Sequence, residues 1–129
     1  MDNTRMNTLI DIYAAGIEKF IQALNSATEY KHTNVFFNTT HRDNHVASRA
    51  IERKIDLIGL LTDAGMLLKT NLESIVEAAN NKQGAFTVQT VHGNMSFRCW
   101  WNSGRNAFEL KLCTITPTMY AHHRDFLIK

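Results

Sequence analysis

The chain has 129 residues, 44% of them hydrophobic and 20% charged. That length suits one domain with a real core, and the charged fraction is ordinary for a globular protein, which argues against disorder. The formal net charge is +2, with six histidines counted as neutral. Such a balance permits nucleic-acid binding but lacks the dense basic patch of a dedicated binder.

The start, MDNTRMNTLIDIY, has no continuous apolar run and no small-residue cleavage site, so it does not read as a signal peptide. No apolar stretch of about 18 residues follows, so no membrane span is expected. Cys99 and Cys113 lack metal-ligand spacing and read as reduced strand residues of a cytoplasmic protein. With no repeat, low-complexity segment or linker, residues 1–129 are expected to form a single domain.

Residues 5–29 read as an amphipathic helix, with Leu9, Ile12, Tyr13, Ile17, Phe20, Ile21 and Leu24 at helical spacing. TNVFFN, 33–38, is β-prone and fits a strand or an extended entry. Thr40 is a candidate N-cap, with Asp43 as a short capping box. A helix over about 41–56 follows, with Val46, Ala50, Ile51, Ile55 and Ile58 as its apolar side. Gly59 and Gly65 flank a second apolar piece, LLTDAGMLL. NLESIVEAANN, 71–81, reads as another helix, with Glu73 and Glu77 outward and Ile75, Val76 and Ala79 inward. Asn80, Asn81 and Gly84 end it.

After Gly84 the period changes from helical to alternating. AFTVQTV, MSFRCWW and AFELKLCTI read as strands, separated by the turns HGN and NSGRN. On the third strand, Phe108, Leu110, Leu112 and Thr114 fall on one face, and Glu109, Lys111 and Cys113 on the other. TMYAHHRDFLI, 118–128, makes a last strand or short helix. One switch of period along the chain predicts an α+β fold: N-terminal helices packed on a C-terminal antiparallel sheet of about three to four strands.

The segment HRDNHVASRAIERKID, 41–56, carries the chemistry. His41, His45, Arg49 and Arg53 recur every four residues, an advance of about 40° per step on a helix, so all four share one face. As a solvated face, Arg49 and Arg53 would pair with Glu52 and Asp56. As a phosphodiester-cleaving edge, a histidine takes a proton from a ribose 2′-OH and an arginine grips the non-bridging oxygens. Paired histidines also suit zinc, but HRDNH lacks the glutamate of a zincin helix and no third ligand follows, so no metal is expected.

HVASRAIERKID resembles the His/Arg helix of the RegB family of phage endoribonucleases, within the RelE/YoeB-like microbial ribonuclease fold. The order of elements is similar over 33–116. HGNMSFRCWW resembles a sheet strand entered from a Gly-Asn turn, and LKLCTITPT the late core strand of that fold. The resemblance implies a RelE/RegB-like domain acting as a metal-independent, cofactor-free endoribonuclease. It would cleave mRNA by 2′-OH attack in the host cytoplasm, in a phage- or toxin-like role, with a host translation-associated protein as a possible partner. By the same resemblance His45 is the acid or base, Arg49 contacts phosphate, and Arg53 acts with it or buttresses the helix.

The family pattern places a second catalytic histidine on the next helix, and 57–81 contains none. Either His41, His92, His122 or His123 replaces it, or the fold survives as a non-catalytic protein that binds RNA or inhibits a host factor. Helix 5–24 would then offer a partner or dimer surface. Trp100 and Trp101 point to opposite sides of a strand, so one is expected in the core and the other available for base stacking. Arg98, Arg105, His92 and His123 complete the expected substrate contacts beside Trp101, and Tyr120 is a further candidate donor or stacking platform.

Overall fold

The protein is described from a computed structural model, covering residues 3–28, 35–39, 43–81, 84–117 and 126–129. Thr40, His41, Tyr120, His122, His123 and Arg124 lie outside the described residues.

Four helices precede most of the sheet: α1 (Asn3–Thr28), α2 (Asp43–Glu52), α3 (Leu57–Thr70) and α4 (Leu72–Asn80). The strands are β1 (Val35–Thr39), β2 (Ala85–Thr90), β3 (Gly93–Asn102), β4 (Ala107–Thr116) and β5 (Phe126–Ile128). Helix α1 buries Ala14, Ile17 and Leu24, flanked by the partly buried Ile10, Tyr13, Phe20 and Ile21. That three- and four-residue spacing makes one continuous stripe. Ile12 falls off it and is 59% exposed, which corrects its place in the predicted apolar set.

Helix α2 packs through Val46, Ala47 and Ala50, all fully buried. Two alanines there allow the backbone to approach its neighbours closely. The helix stops at Glu52 rather than continuing to residue 56, because Lys54 adopts a left-handed conformation (φ 53°). Ile55 N–H then bonds to Ala50 O at 3.0 Å and Lys54 N–H to Ile51 O at 3.2 Å, the two bonds of a Schellman C-cap. Asp56 begins α3 instead, its Oδ1 accepting from Gly59 N–H at 3.1 Å. Both Gly59 and Gly65 lie inside α3. A Cβ on Gly65 would sit 3.4 Å from the Phe20 ring, an ordinary van der Waals contact where α1 meets α3. A single residue, Asn71, separates α3 from α4. On α4, Glu73 and Glu77 are exposed and Ile75 is buried, while Val76 and Ala79 are half-buried.

The sheet has five strands in the order β1-β4-β3-β2-β5. The α+β class and the central antiparallel meander β2-β3-β4 agree with expectation. The strand count and the all-antiparallel pattern do not: β1 joins β4 in parallel, and β5 joins β2 in parallel. Parallel partners are joined by long crossovers rather than tight turns, so no local turn signal marks either edge strand. Between β2 and β3 only Val91 and His92 form the turn, since Thr90 pairs with Gly93. Gly93 carries φ +151°, and a Cβ there would lie 2.9 Å from Thr116 O. Only glycine suits both constraints.

The helices cover the sheet face bearing Phe37, Phe86, Phe97, Leu110, Leu112 and Ile115. Phe86 stacks on Phe97 at 4.9 Å between centroids, and Phe37 meets Phe97 edge-on at 6.3 Å. Thr114 was expected on this face. Ser96 pairs with Thr114 but Phe97 pairs with Leu112, so Cys113 is an extra residue in β4. This bulge reverses the alternation, which puts Ile115 in the core and turns Thr114 out. Among the described residues, no helix is long and apolar enough to cross a membrane.

Candidate functional site

The histidine-arginine stripe of α2 divides once its partners are placed. His45 is half-buried on α2 beside the buried Val46. Arg49 is half-buried and holds Glu52 at 2.7 Å. Arg53 reaches away from the helix to β4, where its Nη1 donates to Thr114 Oγ1 at 3.2 Å and to Ile115 O. The last β1–β4 pair is Thr39 with Leu112. Arg53 therefore satisfies a β4 carbonyl beyond the point where β1 ends. Asp56, the other expected partner of the stripe, is occupied as the cap of α3. Arg49 and Arg53 are thus engaged in local and sheet contacts.

A second group of side chains gathers on the sheet face turned away from the helices. Strand register sets it in two rows. In the first, Phe36 on β1, Glu109 on β4 and Trp100 on β3 lie side by side. In the second, Asn38, Lys111, Arg98 and Ala85 do so across four strands. Strands about 4.8 Å apart put Phe36 and Trp100 about 10 Å from each other, and two residues along a strand separate the rows by about 7 Å. The β3–β4 turn adds Arg105, whose guanidinium lies 3.6 Å from the Phe36 ring centroid. Lys111 Nζ lies 5.4 Å from the Trp100 ring. Both are cation–π contacts, which hold the cation in place while leaving its outer side to a ligand.

Glu109 sits at the centre, its side chain only 8% exposed. A carboxylate buried on an open sheet face needs compensation. Asn102 Nδ2 donates to Oε2 at 2.8 Å, and Lys111 Nζ lies 3.9 Å from Oε1. Asn102 Oδ1 accepts from Arg105 N–H at 3.2 Å, so one side chain fixes both the turn and the carboxylate. Among the described residues, Arg98, Arg105 and Lys111 outnumber the single carboxylate of this face.

The predicted substrate residues distribute unequally. Arg98 and Arg105 belong to this face. Trp101 points to the other side, where its ring meets Phe108 edge-on at 5.0 Å. Neither tryptophan is a core residue: Trp100 is 40% and Trp101 48% exposed, and Trp100 stands on the face that the helices do not cover. His92, in the β2–β3 turn, lies between two carboxylates of α3. Its Nδ1 is 3.5 Å from Asp56 Oδ2 and its Nε2 3.5 Å from Asp63 Oδ2. The two contacts use opposite ring nitrogens, a geometry unlike a shared metal centre. Among the described residues no group of three or more such ligands stands close enough to hold a metal ion. Cys99, facing the core opposite Leu110, has its thiol pushed above its ordinary pKa by burial.

Comparison of the chain with protein-family models, with curated proteins and with solved structures found no match. Phe36, Asn38, Trp100, Glu109 and Lys111 join the candidate site only through strand pairing. Alternation marked Glu109 and Lys111 as facing away from the core. Nothing local indicated that Phe36, about seventy residues earlier in the chain, would sit beside Glu109.

Proposed function

We propose that this protein binds single-stranded RNA on the outer face of its sheet. One observation carries the proposal: the ordered rows Phe36–Glu109–Trp100 and Asn38–Lys111–Arg98 place rings and cations on one surface. Exposed rings stack on unpaired bases, and guanidinium planes stack or hold phosphates. This is the RNA-binding form of the non-catalytic alternative. The contacts of Arg49 and Arg53 favour it over a phosphate-gripping α2 helix.

The test is fluorescence titration of the full chain with short single-stranded RNAs at 50 and 200 mM salt. Trp100→Ala should weaken binding about 5- to 150-fold, from a stacking term of about 1–3 kcal/mol per base. Arg98→Ala should reduce the salt slope by about 0.7, the share of one phosphate on a single strand. Trp101→Ala should do less than Trp100→Ala. Wild-type affinity retained in both the Trp100 and Arg98 variants would end the proposal.

A second reading, metal-independent cleavage of mRNA, is favoured by the Glu109 carboxylate, 8% exposed beside Lys111 on a face that also carries Arg98 and Arg105. There Glu109 Oε1 would accept the 2′-OH proton as the 2′-oxygen attacks phosphorus. The 5′-oxygen would leave with a proton from an acid, producing a 2′,3′-cyclic phosphate. The family resemblance instead assigns proton transfer to His45 and the phosphate grip to Arg49, on α2 at the other face of the sheet. RNA incubated with EDTA should then be cut by wild type, and Glu109→Gln should abolish cleavage on the sheet-face reading, His45→Ala on the α2 reading. Absence of cleavage on any RNA would remove the enzymatic reading and leave the binding one.

A further inference from the structure

We propose that a cavity between α3 and the β2–β3 hairpin binds small organic ammonium compounds with an apolar body. The cavity has a volume of about 520 Å³, within the usual range for small-ligand sites. It lies at the other end of the meander from the Trp100 end of β3, and the proposal does not rest on RNA binding.

The walls decide the ligand's body. Met66 and Leu67 come from α3 and Val91 from the hairpin turn. Met66 is 66% and Val91 83% exposed, so apolar surface at the rim lies open to solvent. A methionine thioether adapts its shape to an apolar guest more readily than a branched side chain does. Burying such surface against an alkyl or aryl group is favourable in proportion to the area covered.

The polar groups decide the ligand's head. Asp63 lines the cavity three residues before Met66, on the same side of α3. Its side chain is 43% exposed, and its contact with His92 is a long one at 3.5 Å. The carboxylate therefore keeps acceptor capacity for a second donor. Gln89 also lines the cavity. Asp56 adds a second carboxylate behind His92, and among the described residues no lysine or arginine lines the cavity. An ammonium head supplies several donors and the complementary charge, whereas a carboxylate head would face Asp63.

Hexylammonium, 1-hexanol and hexanoate present the same body with three heads. Each should be titrated into the full-length protein, followed by NMR of the Met66 methyl, Val91 methyls and Gln89 side-chain amide. Hexylammonium is expected to shift all three groups saturably, with an affinity about two- to fivefold above that of hexanol. That factor matches one half-exposed ion pair. Hexanoate is expected to be the weakest. Asp63→Asn, at an accessible position, should bring hexylammonium down to the hexanol level while leaving hexanol unchanged. Equal binding of all three compounds, an unaffected Asp63→Asn variant, or shifts confined to other parts of the protein would overturn the proposal.

Discussion

Asn25 closes an open sheet edge with a single side chain. Strand β1 is an outer strand, and in a parallel pair a residue's N–H and C=O both point to the same side. Those of Phe37 point away from β4 and meet α1 instead. Phe37 N–H donates to Asn25 Oδ1 at 2.7 Å, and Asn25 Nδ2 donates to Phe37 O at 3.0 Å. The amide thus stands in for the missing neighbouring strand, at a residue whose own side chain is a central core phenylalanine. Asn25→Ala removes both bonds and leaves a buried donor and acceptor without partners. At about 1–2 kcal/mol for each, the expected loss is about 2–4 kcal/mol, a sizeable part of the stability of a single domain. Asn25→Asp keeps the acceptor for Phe37 N–H but sets a second oxygen against Phe37 O, so at neutral pH it should be no better than the alanine. Urea unfolding should show midpoints lowered by about 1–2 M at constant slope. Hydrogen exchange should show lost protection at Phe37 while Phe36 and Asn38 retain theirs. An unfolding free energy within about 0.5 kcal/mol of wild type for either variant would refute this account of the edge.

Further outcomes follow from the same geometry. Arg53→Met should cost about 1–3 kcal/mol, because it strands the Ile115 carbonyl, with RNA affinity changed less than twofold; lost RNA binding at unchanged stability would instead mark Arg53 as a phosphate contact. Gly93→Ala forces a Cβ toward Thr116 O at an unfavourable φ, so calorimetry should register a loss of about 1–3 kcal/mol, and an unshifted melting temperature would contradict the hairpin geometry. The buried Cys99 thiol has a raised pKa, so the native state holds this proton after the unfolded chain has released it. Its stabilising contribution is complete below the ordinary thiol range and falls as pH rises through the native value. Urea midpoints across the alkaline range should therefore decline more for wild type than for Cys99→Ala; parallel profiles would show that burial of this thiol is not linked to stability.

The sequence by itself determined the local periods. The stripe through Tyr13, Ile17, Phe20, Ile21 and Leu24, the outward Glu73 and Glu77, and the alternation of the meander strands short of the Cys113 bulge follow from side-chain spacing. The single change from helical to alternating period was enough for the α+β class. Tertiary structure alone decided which rows of residues became neighbours. The parallel pairing of β1 with β4 brought Phe36 to Glu109, and no turn announced that pairing. The bulge at Cys113 turned Thr114 outward, although the local alternation predicted the opposite. It also decided what became of the α2 stripe. Four-residue spacing placed Arg49 and Arg53 on one face in principle, but helix termination and the end of β1 drew Arg53 to the sheet. Spacing specifies direction from a local axis, whereas a side chain's partner depends on what the rest of the chain leaves unsatisfied nearby.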